Sequence, residues 1–305
     1  VQIGNDIDGE NLGDLSGHSV ATSANGNIVA IGAIENDDGG NRSGHVRVYE
    51  NVGGTWTQIG EDIAGEAPDD RSGWSLALSA DGSIVAIGSD LNNLWSGQVE
   101  VYENVGGTWT QIGEDINGEA SEDYFGWSMA LSASGNIIAI GSLWNDNNES
   151  DAGNVRIFQN LSGVWTQIGE SINGEAANDN SGYSVDISAD GSIVAIGAKA
   201  NDGNGDFSGH VRVFDISTVL SIPTIDLETI VSLHPNPSKD VIKIHLEQDQ
   251  MEKIELYSVT GGLIFRTVLN SNTFILNTAN YPSGTYLLKV FSQNTGFVYT
   301  KFIKE

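Results

Sequence analysis

Four near-copies of one segment fill the chain as far as Phe214, and no other feature limits the fold so strongly. SGHS at 16–19, SGWS at 72–75, FGWS at 125–128 and SGYS at 181–184 are offset by 56, 53 and 56 residues. The same spacing carries IVAIGA, IVAIGS, IIAIGS and IVAIGA, then GHVRVYEN, GQVEVYEN, GNVRIFQN and GHVRVFDI, and also WTQIGEDI (56–63), WTQIGEDI (109–116) and WTQIGESI (165–172). VQIGNDID at 1–8 matches this last piece. A repeat of this length signals stacked supersecondary units, none of which can bury its own apolar face alone. Each unit holds four strand-like pieces, for example Tyr183–Ser188, Ser192–Gly197, Val211–Phe214 and, at a unit boundary, Trp165–Ile168. The near-continuous apolar IVAIG piece predicts an inner strand covered on both faces, and the alternation about Arg212 predicts a third strand with one face toward solvent. Ala80-Asp81-Gly82 and Ala189-Asp190-Gly191 supply hairpin turns. Four strands per unit with no long helix predicts an all-β fold of four-stranded blades, a β-propeller over residues 1–216, since radial closure protects strand edges.

Charge divides the chain. Residues 1–214 hold 6 Lys and Arg against 32 Asp and Glu, while 215–305 hold 7 against 9, so almost all of the net −28 and all seven Trp lie in the repeats. Such a field repels a phosphate backbone, which excludes nucleic acid and anionic membrane as partners and leaves cations, neutral sugars and basic protein patches. No cysteine is present, which removes disulfides, thiol nucleophiles and thiolate metal sites. No stretch approaches the roughly 20 apolar residues that cross a bilayer, so the chain is read as not membrane-spanning. It opens with neither Met nor a signal segment, as a processed or truncated product would.

The run F/S-G-x-S, then V-A-I-G-A/S, an Asn/Asp-rich loop, G-x-V-R-V-Y and G-G-T-W-T-Q resembles the FG-GAP-type repeats of integrin-alpha-like and bacterial surface propellers, with Phe125-Gly126 keeping the literal FG pair. The resemblance implies a seven-bladed ring of which four blades are visible. The alternative is a closed four-bladed ring in which Val1–Gly4 completes the blade begun at Ser181. The family often binds calcium in blade loops, and here the loops after the second strand carry Asp37, Asp146, Asp151, Asp202 and Asp206 among amides and glycines, the oxygen-rich set a hard cation takes. This sequence lacks the family's denser Asp-x-Asp-x-Asp register, and turn geometry alone accounts for such residues.

One ring per unit follows the S/F-G pair: His18, Trp74, Trp127 and Tyr183. Wedges packed between blades explain the recurrence, and a platform for a sugar or peptide is the functional alternative. Trp95 and Trp144 lie in loops and have no counterpart in the first and fourth units, where Ile34 and Lys199 are aligned, so Trp74, Trp95, Trp127, Trp144 and Tyr183 are the candidate ligand-binding residues. The five histidines show no HExxH or HxH spacing, no phosphate-binding glycine motif occurs, and the regular Gly-Glu pairs at 9–10, 65–66, 118–119 and 174–175 lack the asymmetry of an active site. No catalytic residue and no organic cofactor is assigned.

After a linker at 217–230 the pattern changes. Residues 231–305 carry new alternations, Val241–Leu246, Lys253–Ser258, Tyr286–Phe291 and Val298–Ile303, and six or seven short strands predict a small β-sandwich. HPNPSKDVIKI, IELYSVTGGLIFR, ILNTANYPSGTYLLKVF and the terminal YTKFIKE resemble the type A sorting domain of proteins exported by the type IX secretion system of Bacteroidota. The landmarks are Pro235, Asn236, Pro237, Gly261, Pro282, Gly284, Tyr286, Lys301 and Lys304. The resemblance implies an address label, read by the translocon and its outer-membrane shuttle protein after passage through the periplasm, and a cargo at the outer-membrane surface or outside the cell. A binding or adhesion module with a glycan or surface-protein ligand is the function expected. A carbohydrate-active enzyme, which would show an asymmetric carboxylate cluster with a raised pKa, and a structural spacer are the alternatives.

Overall fold

The computed structural model describes residues 1–217, 231–247, 250–258, 263–292 and 296–305, and it divides into two compact units, Val1–Leu220 and Ser221–Glu305. The first unit is a series of antiparallel sheets with the build of propeller blades. In the first sheet β1 (Ser16–Thr22), β2 (Ile28–Ala33), β3 (His45–Val52) and β4 (Thr55–Gln58) pair in order, and β5 (Ile63–Ala64) continues the outer strand on β3. The second repeats this with β6 (Ser75–Leu78), β7 (Ile84–Ser89), β8 (Gln98–Val105), β9 (Thr108–Gln111) and β10 (Ile116–Asn117). The third does so with β11 (Phe125–Leu131), β12 (Ile137–Ser142), β13 (Asn154–Asn160), β14 (Trp165–Gln167) and β15 (Ile172–Asn173). The fourth has β16 (Ser181–Ile187), β17 (Ile193–Ala198) and β18 (His210–Asp215).

The core lies between successive sheets. One cluster joins Val46 and Val48 to Val85 and Ile87, the next joins Val99 and Val101 to Phe125 and Ile140, and the third joins Val155 and Ile157 to Val194 and Ile196. The motif residues explain the spacing. Ser19, Ser75 and Ser128 donate their hydroxyls to the carbonyls of Gly73, Gly126 and Gly182 in the next sheet at 2.5, 2.6 and 2.7 Å. A Cβ on Gly32, Gly88 or Gly141 would stand 2.3, 2.6 or 2.3 Å from those same carbonyl oxygens, so only glycine lets the sheets approach. On the outer strands, the Nε1 of Trp56, Trp109 and Trp165 donates to the carbonyls of Ile3, Ile59 and Ile112, which staples each sheet to the segment before it.

Two expectations need correction. The third strand is buried on both faces in three sheets, with Arg47 and Arg156 only 5% and 6% exposed, and it alternates toward solvent only in β18. Val1–Gly4 does not pair with β18: it forms no strand, and Ile3 stands to Trp56 as Ile59 stands to Trp109. Among the described residues the fourth sheet has three strands.

The second unit contains two sheets, as a sandwich requires. One comprises β19 (Val231–His234), β20 (Val241–Leu246) and β23 (Thr273–Asn277); the other places β22 (Leu263–Ser271), β21 (Met251–Ser258), β24 (Gly284–Ser292) and β25 (Gly296–Lys304) side by side. Ile242, Ile244, Leu246, Ile254, Leu256, Leu288 and Phe302 form a core that draws on this unit alone.

Candidate functional site

A backbone kink recurs at the start of each sheet. Leu15, Arg71, Tyr124 and Asn180 all have φ of 54–56°, and the glycines two residues on have φ of 86–90°. Of these four residue types only Asn adopts that region readily, so the stacking imposes it. The next residue in each is the repeated ring, and the rings touch across sheets: His18 to Trp74 at 4.7 Å between centroids, Trp74 to Trp127 at 5.0 Å, and Trp127 to Tyr183 at 6.0 Å. The row broadens at the third sheet. Tyr124 meets Trp127 at 6.4 Å, Trp144 at 4.6 Å and Trp95 at 6.3 Å, which joins both loop tryptophans to the row through a position that carries no ring in the other units. Trp95, Trp144 and Tyr183 remain 47%, 41% and 38% exposed, and the Lys199 ammonium lies 3.9 Å over the Tyr183 ring. Trp144 takes the backbone hydrogen bond that Glu35 and Ala200 take in their own sheets, so its counterparts are those residues and not Ile34 and Lys199.

Polar groups adjoin this aromatic face. Arg71 pairs with Glu35 at 3.5 Å, and its charge together with burial lowers the His18 pKa, burial being the larger cause. Asp90 is 1% exposed with its Oδ1 unpartnered; burial pushes its pKa up to about 7 against the pull of Arg71, and the same carboxylate adds to the burial that raises Tyr124.

The acidic loops are built around their own backbone. Asn36, Asn145 and Asn201 are buried and donate to Asp14, Asp123 and Asp179 at 3.1, 2.8 and 2.9 Å. Asp37, Asp146 and Asp202 each accept the backbone N–H five residues on, from Arg42, Asp151 and Phe207. Asp206 is exposed and Asp151 half-buried. Among the described residues, two acid-rich groups could hold a divalent cation, Glu10, Asp38, His45 and Asp62 in the first sheet and Glu66, Glu100 and Asp115 in the second. Neither includes the loop aspartates singled out from the sequence. Glu100 is 2% exposed and accepts the Tyr102 hydroxyl at 2.8 Å; burial pushes its pKa up to about 7, with Glu66, Asp115 and Asp70 adding to the shift.

In the second unit the landmarks converge from far apart in sequence. Asn236, in a turn whose peptide bonds before Pro235 and Pro237 are both cis, donates to the Lys301 carbonyl and accepts the Ile303 N–H at 3.1 and 2.9 Å. Ser238 exchanges backbone hydrogen bonds with Ile303 and Glu305. Tyr286 donates to the Pro282 carbonyl at 2.6 Å and stacks on Phe302, just after Gly284 at φ 154°. Lys301 is exposed, Lys304 is buried, and Gly261 lies outside the described residues.

The geometry defines a repeat protein of propeller-like blades joined to a small β-sandwich. Residues 232–305 match the secretion system C-terminal sorting domain, and residues 117–158 match the FG-GAP repeat. The chain therefore carries both modules, an arrangement that matches type IX secretion cargo of Bacteroidota. The sorting domain marks the chain for the outer-membrane surface or the exterior after periplasmic transit. Among curated proteins it is similar to an ulvan lyase, NLR42 of Nonlabens ulvanivorans, at 31% identity over 88 residues, 28% of this chain and 16% of that protein. The match thus spans about a sixth of the lyase. Solved structures with overlap include Kuenenia stuttgartiensis hydrazine synthase (12% identity, 97% of this chain, 69% of that chain, TM-score 0.45) and Sqt1 of Chaetomium thermophilum (16%, 95%, 72%, 0.43). PorZ of Porphyromonas gingivalis, a surface component of the type-IX secretion system, overlaps at 11% identity over 94% of this chain and 51% of its own, with a TM-score of 0.29. Overlaps this loose support no statement about what the chain does. Among the described residues no helix is long and apolar enough to cross a membrane.

Proposed function

We propose that the repeats act outside the cell as a glycan-binding module, delivered there by residues 231–305 through the type IX translocon and its outer-membrane shuttle. The aromatic row carries the reading: four successive sheets contribute touching rings, and the row ends in exposed Trp95, Trp144 and Tyr183. Pyranose rings stack on such faces through their C–H edges, and the strongly negative repeats favour neutral sugars over acidic ones. A glycan array probed with the whole chain tests this. Retention of neutral glycans that is lost in Trp144→Ala and Trp95→Ala supports it, and an empty array, or binding unchanged in both variants, overturns it.

The finer fold reading is that the four sheets are consecutive blades of a larger propeller. Both halves of the inter-blade contact are unused at the two outer sheets. A Cβ on Gly17 would meet open space where Gly73 meets the preceding sheet, and Gly197 faces only its own Ser184, with no carbonyl from a following sheet. Val20, Val211 and Val213 are 64%, 67% and 65% exposed. Further blades covering those faces would bury them.

A second reading, a carbohydrate-active enzyme, draws on one observation, the asymmetric group of Glu66, Glu100 and Asp115. Glu100, the member with the raised pKa, is buried and engaged by Tyr102, whereas a general acid must reach its substrate. Hydrolysis of chromogenic glycosides that disappears in Glu100→Gln would put this reading first.

A further inference from the structure

His45 opens the third strand of the first sheet with its ring 1% exposed and neither nitrogen hydrogen-bonded. A buried imidazole ordinarily finds a partner for both nitrogens. Glu10, Asp38 and Asp62 surround it, and one ligand atom from each of the four residues lies within 4.8 Å of the others. Asp62 Oδ2 stands 3.4 Å from His45 Nδ1, while Asp62 Oδ1 accepts Gln58 at 2.6 Å. Glu10 Oε1 stands 3.4 Å from Arg47.

The other sheets show what this place looks like without such a group. In the third, Asn147 occupies the position of Asp38, and its amide donates to Glu119 at 2.7 Å, so the pair closes by itself. In the first, the corresponding pair is Asp38 and Glu10, two carboxyl groups with no amide between them to donate. Gln98 and Asn154 replace His45 in the second and third sheets, Ser171 replaces Asp62 in the third, and Gly203 replaces Asp38 in the fourth. Among the described residues only the first sheet combines an imidazole with three carboxylates. A cation between Asp38 and Glu10 would supply the attraction that the hydrogen bond between Asn147 and Glu119 supplies in the third, where Asn154, like His45, has no hydrogen-bonded side-chain atom.

We infer that Glu10, Asp38, His45 and Asp62 form a site for one divalent first-row transition-metal ion, zinc by preference. An imidazole nitrogen among carboxylate oxygens suits zinc or its neighbours, whereas calcium and magnesium favour all-oxygen shells. The site shares no residue with the aromatic row, and it takes Asp38, not Asp37, from the first acidic loop.

The test uses the full chain stripped of metal, titrated calorimetrically with zinc and with calcium, and melted with and without each. One tight equivalent of zinc, a higher Tm with zinc, and weaker calcium binding are expected. Asp38→Asn, which installs the third sheet's residue at an exposed position, should weaken that step at least ~10-fold, and His45→Gln should remove it. If His45→Gln fails to fold, Asp38→Asn decides. Absence of a saturable step, calcium bound as tightly as zinc, or zinc affinity unchanged in Asp38→Asn would overturn the site.

Discussion

Position 100 is where one side chain reverses the electrostatics of a whole repeat. In three sheets an arginine occupies it: Arg47, Arg156 and Arg212 lie 3.4, 3.6 and 3.9 Å from Glu10, Glu119 and Glu175 and donate to the carbonyls of Asp8, Asn117 and Asn173. In the second sheet Glu100 replaces the arginine and faces Glu66 and Asp115. With its pKa pushed up to about 7 mainly by burial, the folded chain holds this proton more tightly than the unfolded chain does. Glu100 therefore destabilises the fold above pH 7, by on the order of 3 kcal/mol, and the penalty fades as pH falls toward the ordinary carboxylate range. Asp90, also raised to about 7, acts with the same sign. Urea unfolding in chelator should show Glu100→Gln more stable than the parent at pH 8 and nearly equal to it at pH 5; equal stability at pH 8 would count against the assignment. Asp90→Leu, which installs the residue of Leu143 in the third sheet, should behave likewise. The exchange is legible in the repeat itself, since GQVEVYEN differs from GHVRVYEN at this column. Tyr124 was not legible, because its role comes from a shared kink at which Leu15, Arg71 and Asn180 have no ring.

Between elements, the contact that fixes how closely sheets stack is a glycine opposite a carbonyl. Alanine at Gly141 would set its Cβ 2.3 Å from the Gly182 oxygen, a backbone atom that cannot step aside without moving the fourth sheet. At Gly197 the same change meets only the Ser184 hydroxyl at 2.4 Å, which can rotate. Gly141→Ala should cost about 2–3 kcal/mol and Gly197→Ala under about 1 kcal/mol; equal losses in denaturant titrations would mean that these glycines do not set the stacking. The strands were legible because period and turn residues agree, as for Val241–Leu246, which the alternation places at its observed bounds. The burial of β3, β8 and β13 was not, since a single strand's alternation cannot reveal a neighbouring sheet that covers its second face. In the second unit β22 escaped the pattern for the opposite reason: none of its residues is fully buried, and Phe265 and Leu269 pack only against the margin of the core.

For the molecule as a whole, the two units have cores that share no residue, and their charges differ as sharply as their folds. A defect in the address should leave the cargo standing. The last five residues concentrate what holds the address together: Phe302, 1% exposed, fills its core, the Lys301 carbonyl accepts from Asn236, the Ile303 N–H donates to Asn236, and Ile303 and Glu305 bond to Ser238. Removing Lys301–Glu305 strips a large buried ring and the hydrogen bonds that pin the Pro-Asn-Pro turn, a loss of about 3–5 kcal/mol from the ring alone, comparable to the whole stability of so small a unit. The truncated chain should melt with an unchanged transition for the repeats and none for the tail, and fractionation should find it retained in the periplasm. Asn236→Ala separates folding from recognition, because it leaves the core and the Ser238 backbone bonds intact and removes only the side-chain bonds between the turn and the last strand. If the turn and the terminal strand are read together, this variant should keep both melting transitions and still lose most of its export. Normal export of Asn236→Ala would mean that the receptor reads the sandwich elsewhere.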